Sequence, residues 1–116
     1  MAQPNKIFIT GGAGYVGSRL VPFFLKNSYK VCVYDTMYFG SEHLKNHENL
    51  TLIKGDIRDV KEVEKNCKGF DIFLHLACIS NDSSFELYEE LSKTINYDCF
   101  EPMVCAAKNA GIKRFI

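Results

Sequence analysis

Four glycines fall within seven residues near the start of the chain, directly after a short apolar run. The run, Lys6–Thr10, is rich in β-branched residues and favours a strand. The glycines lie within residues 11–17, and from Val16 onward apolar residues recur at helical spacing. This order predicts a strand, a tight glycine turn, and a helix whose N-terminus faces the turn.

Three glycines of the turn have a chemical use if a diphosphate lies over it. Gly11 supplies the tight turn after the strand, and Gly14 leaves room for a pyrophosphate above the first turn of the helix. Gly17 lets the helix pack closely on the strand. The unpaired amides and positive dipole end of the helix favour an anion there. The alternative is an ordinary glycine-rich turn that binds no ligand.

An acidic residue ends the second apolar run, Lys30–Asp35, which is apolar enough to be a central parallel strand. Asp35 lies 18 residues after Gly17, where a dinucleotide site has the carboxylate that accepts hydrogen bonds from the adenosine ribose. Its charge also repels a 2′-phosphate, so the sequence predicts NAD rather than NADP as the ligand. A turn residue or a helix cap is the alternative for Asp35.

The remaining chain repeats this alternation of strands and helices. Strands are predicted at residues 50–56 and 70–77, helices at 60–68 and 94–110, and a fifth strand from residue 113. The fold class is therefore α/β, a Rossmann-type doubly wound parallel sheet of strand order 3-2-1-4-5, truncated at the fifth strand. Its ligand crevice lies beyond the carboxyl ends of the first and fourth strands.

Two details of the helices follow from local patterns. The helix after the glycine turn is predicted to bury the side chains of Val16, Leu20, Phe23 and Phe24. Asp59 is the predicted N-cap of the helix at residues 60–68, because its side chain can accept a hydrogen bond from a first-turn amide.

Composition excludes several classes of partner. At 116 residues the chain is one domain at most, and 14 basic against 14 acidic residues leave no net charge to attract nucleic acid or an anionic membrane. The longest apolar stretch, residues 20–25, is too short to span a bilayer, and the N-terminus does not resemble a signal peptide. We therefore expect a cytoplasmic protein with neither nucleic acid nor a membrane among its partners.

The five cysteines and three histidines form no metal or disulfide pattern. The cysteines are odd in number and lack a Cys-x-x-Cys pair, so we expect them to be reduced core residues. For Cys78, just past a predicted strand end, a ligand-facing position is the alternative. No histidine has a cysteine or carboxylate at a spacing that raises the expectation of a metal, so no metal site is predicted.

The segment at residues 10–17 resembles the Thr-Gly-x-x-Gly-x-x-Gly signature of extended short-chain dehydrogenases/reductases, the NAD-dependent epimerase/dehydratase family. Further blocks of that family are matched in the correct order, namely Gly55-Asp56-Ile57-Arg58-Asp59, His75-Leu76-Ala77-Cys78, Asn96 and residues 106–116. The resemblance covers essentially the whole chain, and it implies the same Rossmann-type fold with NAD as the cofactor.

Carried over residue by residue, the resemblance implies a set of NAD contacts along the predicted crevice. The implied contacts are to pyrophosphate from Gly11, Gly14, Tyr15, Val16 and Gly17, to ribose from Asp35 and Thr36, to adenine from Asp56 and Ile57, and to the nicotinamide side from Leu76, Ala77 and Cys78. Asn96 would tie its helix to the groove, and a helix-end cap is the alternative for it. Cys78 stands where the family often has alanine or glycine.

The resemblance also implies a substrate class and a reaction. The members most similar in style act on nucleotide sugars, oxidising a hydroxyl by hydride transfer to NAD before they epimerise, dehydrate or decarboxylate the ketone and return the hydride. A Tyr-x-x-x-Lys pair serves that chemistry, and none of the six tyrosines here has a lysine four residues on. No catalytic residue is therefore assigned.

We accordingly expect residues 1–116 to be one incomplete NAD(P)-binding Rossmann domain that lacks the C-terminal catalytic and substrate lobe. Such a chain would bind NAD without being catalytically competent alone, and it would meet a nucleotide sugar only if that lobe were supplied. The alternative is a stand-alone nucleotide-binding or interaction module without enzymatic activity.

The predicted fifth strand ends at Ile116, which leaves an apolar sheet edge uncovered in the expected fold. We therefore expect self-association into a homo-oligomer through that edge. The family that the chain resembles also tends to dimerise through helices that include the one at residues 94–110, which offers a second route to the same outcome.

Overall fold

The computed structural model describes residues 5–38, 40–78 and 89–116, and its central feature is a five-stranded sheet. The strands are β1 Lys6–Thr10, β2 Lys30–Asp35, β3 Leu50–Lys54, β4 Ile72–His75 and β5 Arg114–Phe115. Their order is β3-β2-β1-β4-β5, and each adjacent pair is parallel. The predicted α/β class and strand order are confirmed.

The described helices are α1 Tyr15–Lys26, α2 Val60–Cys67, α3 Glu89–Lys93 and α4 Phe100–Asn109. A π-helical segment, Thr94–Asp98, joins α3 to α4. In the described residues, the helix predicted to begin at Thr94 extends back to Glu89, and it is interrupted by the π-helical segment before Phe100. Pro102 falls in the first turn of α4, where its missing amide costs no intrahelical hydrogen bond.

One face of the sheet is covered by α2 and α4 over an aromatic core. The ring of Phe8 in β1 lies 5.6 Å from that of Tyr34 in β2 and 5.2 Å from that of Phe73 in β4, centroid to centroid. Val63 of α2 and Met103 of α4 are fully buried in the same cluster. This layer holds the carboxyl ends of β1, β2 and β4 in fixed relation to one another.

The start of α2 agrees with the sequence. The side chain of Asp59 accepts a hydrogen bond from the amide of Glu62 at 3.4 Å, which confirms the predicted N-cap. The cap fixes the direction in which the chain leaves β3, because it stabilises the first turn of the helix that crosses back towards β4.

The opposite face is covered by α1, and its predicted buried side was largely wrong. Gly17 and Val21 are the buried residues of α1, whereas Val16 and Phe23 are 51% and 58% exposed. Of the four residues predicted to face the core, Phe24 packs against it. The cause is Gly17, because the close approach of this residue to the glycine turn decides which side of α1 faces the sheet.

All five cysteines are free thiols, of which Cys32, Cys67 and Cys99 are buried and Cys78 and Cys105 exposed. The expectation of a core position is therefore wrong for Cys105. Burial raises the pKa of Cys32 to about 12 and that of Cys67 to about 11, so both stay protonated. In the part of the chain that the structure describes, no helix has the length and apolar character needed to cross a membrane.

Candidate functional site

Gly11 is required by the backbone conformation and packing of the protein, whether or not a ligand is bound. Its φ of 71° lies in the left-handed region, and its amide donates to the carbonyl of Tyr34 at 2.9 Å. A Cβ on Gly11 would lie 2.6 Å from the Cα of Ala77, because the chain leaving β4 passes directly beside the turn. The turn after β1 and the segment after β4 are therefore packed backbone to backbone.

Gly17 is also required by packing. A Cβ at this position would lie 2.0 Å from the carbonyl oxygen of Gly12, so the first turn of α1 rests on the backbone of the glycine turn. Gly12 is itself confined, since its Cβ would come within 2.9 Å of the Val33 side chain on β2. These two glycines bring α1 down onto the ends of β1 and β2.

Gly14 differs from its neighbours. It is exposed, its φ of −80° suits any residue, and the atom nearest to a Cβ there would be the carbonyl oxygen of Gly11 at 3.3 Å. Gly14 is the N-cap of α1, and among the described residues no side chain caps this helix and no acidic residue lies in its first turn. The first-turn amides therefore face an open, uncapped position that can accept an anion.

Asp35 is fixed beside this turn. Its Oδ2 accepts a hydrogen bond from the amide of Ala13 at 3.0 Å, and its Oδ1 accepts one from the amide of Met37 at 2.8 Å. Met37 has a φ of 61°, a left-handed conformation that this bond supports. Asp35 is thus both a turn residue and a carboxylate aimed at the glycine turn, and each oxygen keeps a lone pair for a ligand.

The segment after β3 is held by its own contacts. The Tyr34 hydroxyl donates to the carbonyl of Asp56 at 3.2 Å, and the amide of Gly55 donates to the carbonyl of Asp35 at 2.9 Å. Arg58 donates from Nε to both carboxylate oxygens of Asp56. This hydrogen bond is the main reason that the pKa of Asp56 lies below its usual range, although partial burial opposes it.

The segment after β4 is joined to β1 through Thr10. The amide of Leu76 donates to the carbonyl of Thr10 at 2.9 Å, and the amide of Ala77 approaches Thr10 Oγ1 at 3.4 Å. Thr10 Oγ1 also lies 2.7 Å from Nδ1 of His75. Burial lowers the pKa of His75, which favours the neutral ring.

The stability of the fold is expected to fall as the pH is lowered below about 6.5, the ordinary pKa of histidine. Because the pKa of His75 is lowered by burial, the unfolded chain takes up a proton at a higher pH than the folded chain does. The contribution of neutral His75 is therefore fully present above the unfolded-state pKa and is lost as the pH falls towards the folded-state pKa.

Urea denaturation between about pH 5 and pH 8 measures this dependence as the free energy of unfolding. His75→Gln is the matched variant, because its side chain keeps polar atoms but does not titrate. Its free energy of unfolding should vary less over this range, and an equal dependence in both proteins would contradict the assignment to His75.

The structure brings most of the predicted site residues to one edge of the sheet. In the glycine turn, Ala13 contacts Asp35 on one side, and Gly11 lies against Leu76 and Ala77 on the other. Tyr15 and Val16 begin α1 and are exposed, Cys78 is exposed, and Thr36 is half-buried. No cluster of three His, Cys, Asp or Glu side chains that could hold a metal occurs within the described ranges.

The surroundings of two predicted site residues differ from those of a side chain that contacts a ligand directly. The side chain of Ile57 is buried in the core, so only its backbone is available to a base. Asn96 lies in the π-helical segment and is exposed, beside Tyr97 on the outer surface. The residues that flank this segment are Lys93 and Cys99, and both readings of Asn96, a groove contact and a helix-end cap, stay predictions.

Sequence reasoning assigned no role to three side chains that organise this edge, Thr10, Tyr34 and His75. Thr10 and His75 both stand in the quoted family blocks, and each ends a strand, which is the signal that could have paired them. Tyr34 directly precedes Asp35, and its hydroxyl reaches the next strand end only because Gly55 has no side chain. A Cβ on Gly55 would lie 2.3 Å from the Tyr34 ring.

Comparison with known proteins gives a family match over nearly the whole chain. The sequence model of the NAD dependent epimerase/dehydratase family matches residues 7–116. A 3-beta-hydroxysteroid dehydrogenase from Mycolicibacterium neoaurum is 30% identical over 116 residues, which cover 97% of this chain and 31% of that protein.

Solved structures agree with this match. A UDP-N-acetylglucosamine 4-epimerase from Methanobrevibacter ruminantium M1, in complex with UDP-N-acetylmuramic acid, is 32% identical with a TM-score of 0.84, covering 98% of this chain and 37% of that one. The Bordetella bronchiseptica enzyme WbmH, in complex with NAD+, is 32% identical with a TM-score of 0.80, covering 97% of this chain and 38% of that one. The chain thus spans 31–38% of the length of these relatives.

Proposed function

Because this chain belongs to the NAD-dependent epimerase/dehydratase family, we propose that it is the NAD-binding portion of a nucleotide-sugar epimerase or dehydratase. The observation that carries the proposal is the contrast among its glycines. Gly11 and Gly17 have no room for a side chain, whereas Gly14 is exposed at the uncapped N-terminus of α1, and a Cβ there would meet one backbone oxygen, that of Gly11, at 3.3 Å. An exposed glycine that packing restricts less than its neighbours, at a helix end with unpaired amides, fits a bound diphosphate.

The proposed contacts follow the edge of the sheet from β3 to β4. Pyrophosphate would lie on Gly11, Gly14, Tyr15, Val16 and Gly17, ribose on Asp35 and Thr36, adenine on Asp56 and the backbone of Ile57, and nicotinamide beside Leu76, Ala77 and Cys78, with Asn96 supporting the groove from its helix. Support comes from Asp35, whose carboxylate is held between Ala13 and Met37 with a lone pair left on each oxygen.

When bound, NAD would supply the hydride acceptor for the carbon that bears a sugar hydroxyl, and the hydroxyl proton would pass to a base of the catalytic lobe. The part of this chain is to bind and orient the cofactor, since no Tyr-x-x-x-Lys pair occurs in residues 1–116. We therefore propose one NAD-binding domain that is not catalytically competent alone and that meets a nucleotide sugar only together with a catalytic and substrate lobe. The other possibility kept within the proposal is a nucleotide-binding or interaction module without activity.

A second candidate substrate class is a 3β-hydroxysteroid. It is favoured by the hydroxysteroid dehydrogenase, which is 30% identical over 97% of this chain. The nucleotide-sugar class is favoured by the UDP-N-acetylglucosamine 4-epimerase, at 32% identity and a TM-score of 0.84. In both cases the residues at the glycine turn and Asp35 would hold the same cofactor, so the substrate class is decided by residues other than these.

The proposed protein works in the cytoplasm as a homo-oligomer. The five unbridged thiols support a reducing compartment. Support for association comes from the exposed apolar side chains of Tyr97 and Phe100 on the helical surface, which are 76% and 47% exposed.

Calorimetric titration of the chain with NAD tests the proposal. We expect a measurable heat of binding, together with an unfolding temperature that rises as the NAD concentration rises, because NAD binds the folded chain alone. NADP is the matched ligand and is expected to bind more weakly, because its 2′-phosphate meets the Asp35 carboxylate. The absence of both heat and stabilisation with NAD would contradict any cofactor role.

A further inference from the structure

Thr10 is a polar residue with no solvent exposure at the end of β1. Its partner in the β1–β4 ladder is His75, and this is the last pair of that ladder. Beyond this pair the two strands diverge: β1 continues into the glycine turn, and β4 continues into residues 76–78. The hydroxyl of Thr10 is therefore buried where the proposed cofactor groove begins.

The ring of His75 is held from several sides. Its centroid lies 6.0 Å from that of Phe100 and 6.3 Å from that of Phe115, and its main-chain amide donates to the carbonyl of Ile116 at 2.8 Å. The ring presents Nδ1 to Thr10 Oγ1 at 2.7 Å. A side chain so confined can fix the rotamer of the hydroxyl that it meets.

The direction of this contact depends on the tautomer of His75. Thr10 Oγ1 accepts from the amide of Ala77 in either tautomer, and it donates its own proton to Nδ1 when neutral His75 carries its proton on Nε2. The bond from the Ala77 amide is long, at 3.4 Å, and depends on where the hydroxyl is held. The chain from His75 through Thr10 to Ala77 thus links a core ring to the backbone after β4.

From this arrangement we propose that Thr10 and His75 are positioning residues that set the wall formed by Leu76, Ala77 and Cys78, and hence the fit of the nicotinamide end of the cofactor. The inference rests on the proposed NAD site. It adds that Thr10 and His75 act on the nicotinamide half of the site alone. The adenosine half is held by Asp35 and the segment at Asp56, which the pair does not touch.

The experiment compares NAD with ADP-ribose, which lacks the nicotinamide ring, by calorimetric titration of the chain and of Thr10→Val. Valine keeps the shape of threonine and removes the hydroxyl. We expect NAD to bind about fivefold more weakly to Thr10→Val, the effect of one neutral hydrogen bond, while the affinity for ADP-ribose changes less than about twofold. Thr10→Ser restores the hydroxyl and should restore NAD affinity.

His75→Phe is the second variant, because phenylalanine keeps a ring beside Phe100 and Phe115 but has no nitrogen to accept the hydroxyl proton. It should weaken NAD selectively, as Thr10→Val does, and the double variant should be no weaker than either single one. An equal loss for both ligands, or no loss for either, would overturn the inference, as would failure of both single variants to fold. If the unmodified chain binds neither ligand, the proposed function itself fails.

Discussion

Replacing Gly14 with aspartate is expected to leave the stability of the fold nearly unchanged and to abolish most NAD binding. Aspartate is only slightly better than glycine as an N-cap, and the new Cβ would lie 3.3 Å from the carbonyl oxygen of Gly11, so the free energy of unfolding should change by no more than about a few tenths of a kcal/mol. The same carboxylate would occupy the space above the first-turn amides of α1 and repel the pyrophosphate. Two charges about 4 Å apart repel by about 4 kcal/mol near a protein surface, so NAD affinity should fall by at least about a hundredfold.

Urea denaturation and calorimetric titration of the same preparation measure stability and affinity, and a large loss of affinity at nearly unchanged stability excludes a simple loss of folding. Gly14→Asn is the matched control, since asparagine also caps helices but carries no charge, and it should lose less affinity. Gly17→Ala serves as the structural reference. Its Cβ would lie 2.0 Å from the Gly12 carbonyl oxygen, so it should destabilise the fold itself. Unchanged NAD affinity in Gly14→Asp would contradict the pyrophosphate assignment.

The strands and their order followed from the sequence because their cues are local. β1 and β2 are continuous apolar runs that match the burial expected of central parallel strands, and their observed bounds agree with the predicted ones. Right-handed crossovers then leave few arrangements for the remaining strands. The predicted third and fourth strands were longer than the observed Leu50–Lys54 and Ile72–His75, because apolar patterns do not show where ladder pairing ends.

The orientation of α1 could not be read from its apolar residues. The pattern of Val16, Leu20 and Phe23 is typical of a buried stripe, yet Gly17 faces the sheet and turns Val16 and Phe23 outward. Close backbone contact decided the orientation, and a hydrophobic pattern gives glycine little weight. The π-helical segment was not predicted for a similar reason, because the apolar spacing of Thr94–Asp98 resembles that of an ordinary α-helix.

The sequence predicted residues that the structure brings to one edge of the sheet, and it missed side chains that support this edge. The positions of Gly11 and Asp35 follow from spacing within a short stretch of chain. The contact of Thr10 with His75 joins residues 65 positions apart, and only the finished sheet brings their side chains together. Asp35 also proved to hold two amides of its own protein, a role that its spacing from Gly17 does not reveal.

Replacing Asp35 with alanine is expected to lower NAD affinity by about a hundredfold. The carboxylate would accept hydrogen bonds from two ribose hydroxyls, and a hydrogen bond to a charged group contributes about 1.5–3 kcal/mol. The same change should shift the ratio of NAD to NADP affinity towards NADP, because the repulsion of the 2′-phosphate disappears. Calorimetric titration with both ligands measures this ratio. Asp35→Asn is the matched variant, since it keeps the size of the side chain and removes only the charge.

Because Asp35 also holds the amides of Ala13 and Met37, a loss of affinity could arise from a displaced turn instead of a lost ribose contact. NAD that lacks the 2′-hydroxyl on its adenosine ribose separates these causes in a double-mutant cycle. If Asp35 binds the ribose directly, Asp35→Ala should cost this analogue only about tenfold, since one of the two hydrogen bonds is already gone. A displaced turn would weaken NAD and the analogue by the same factor, and that outcome would reduce Asp35 to a structural residue of the glycine turn.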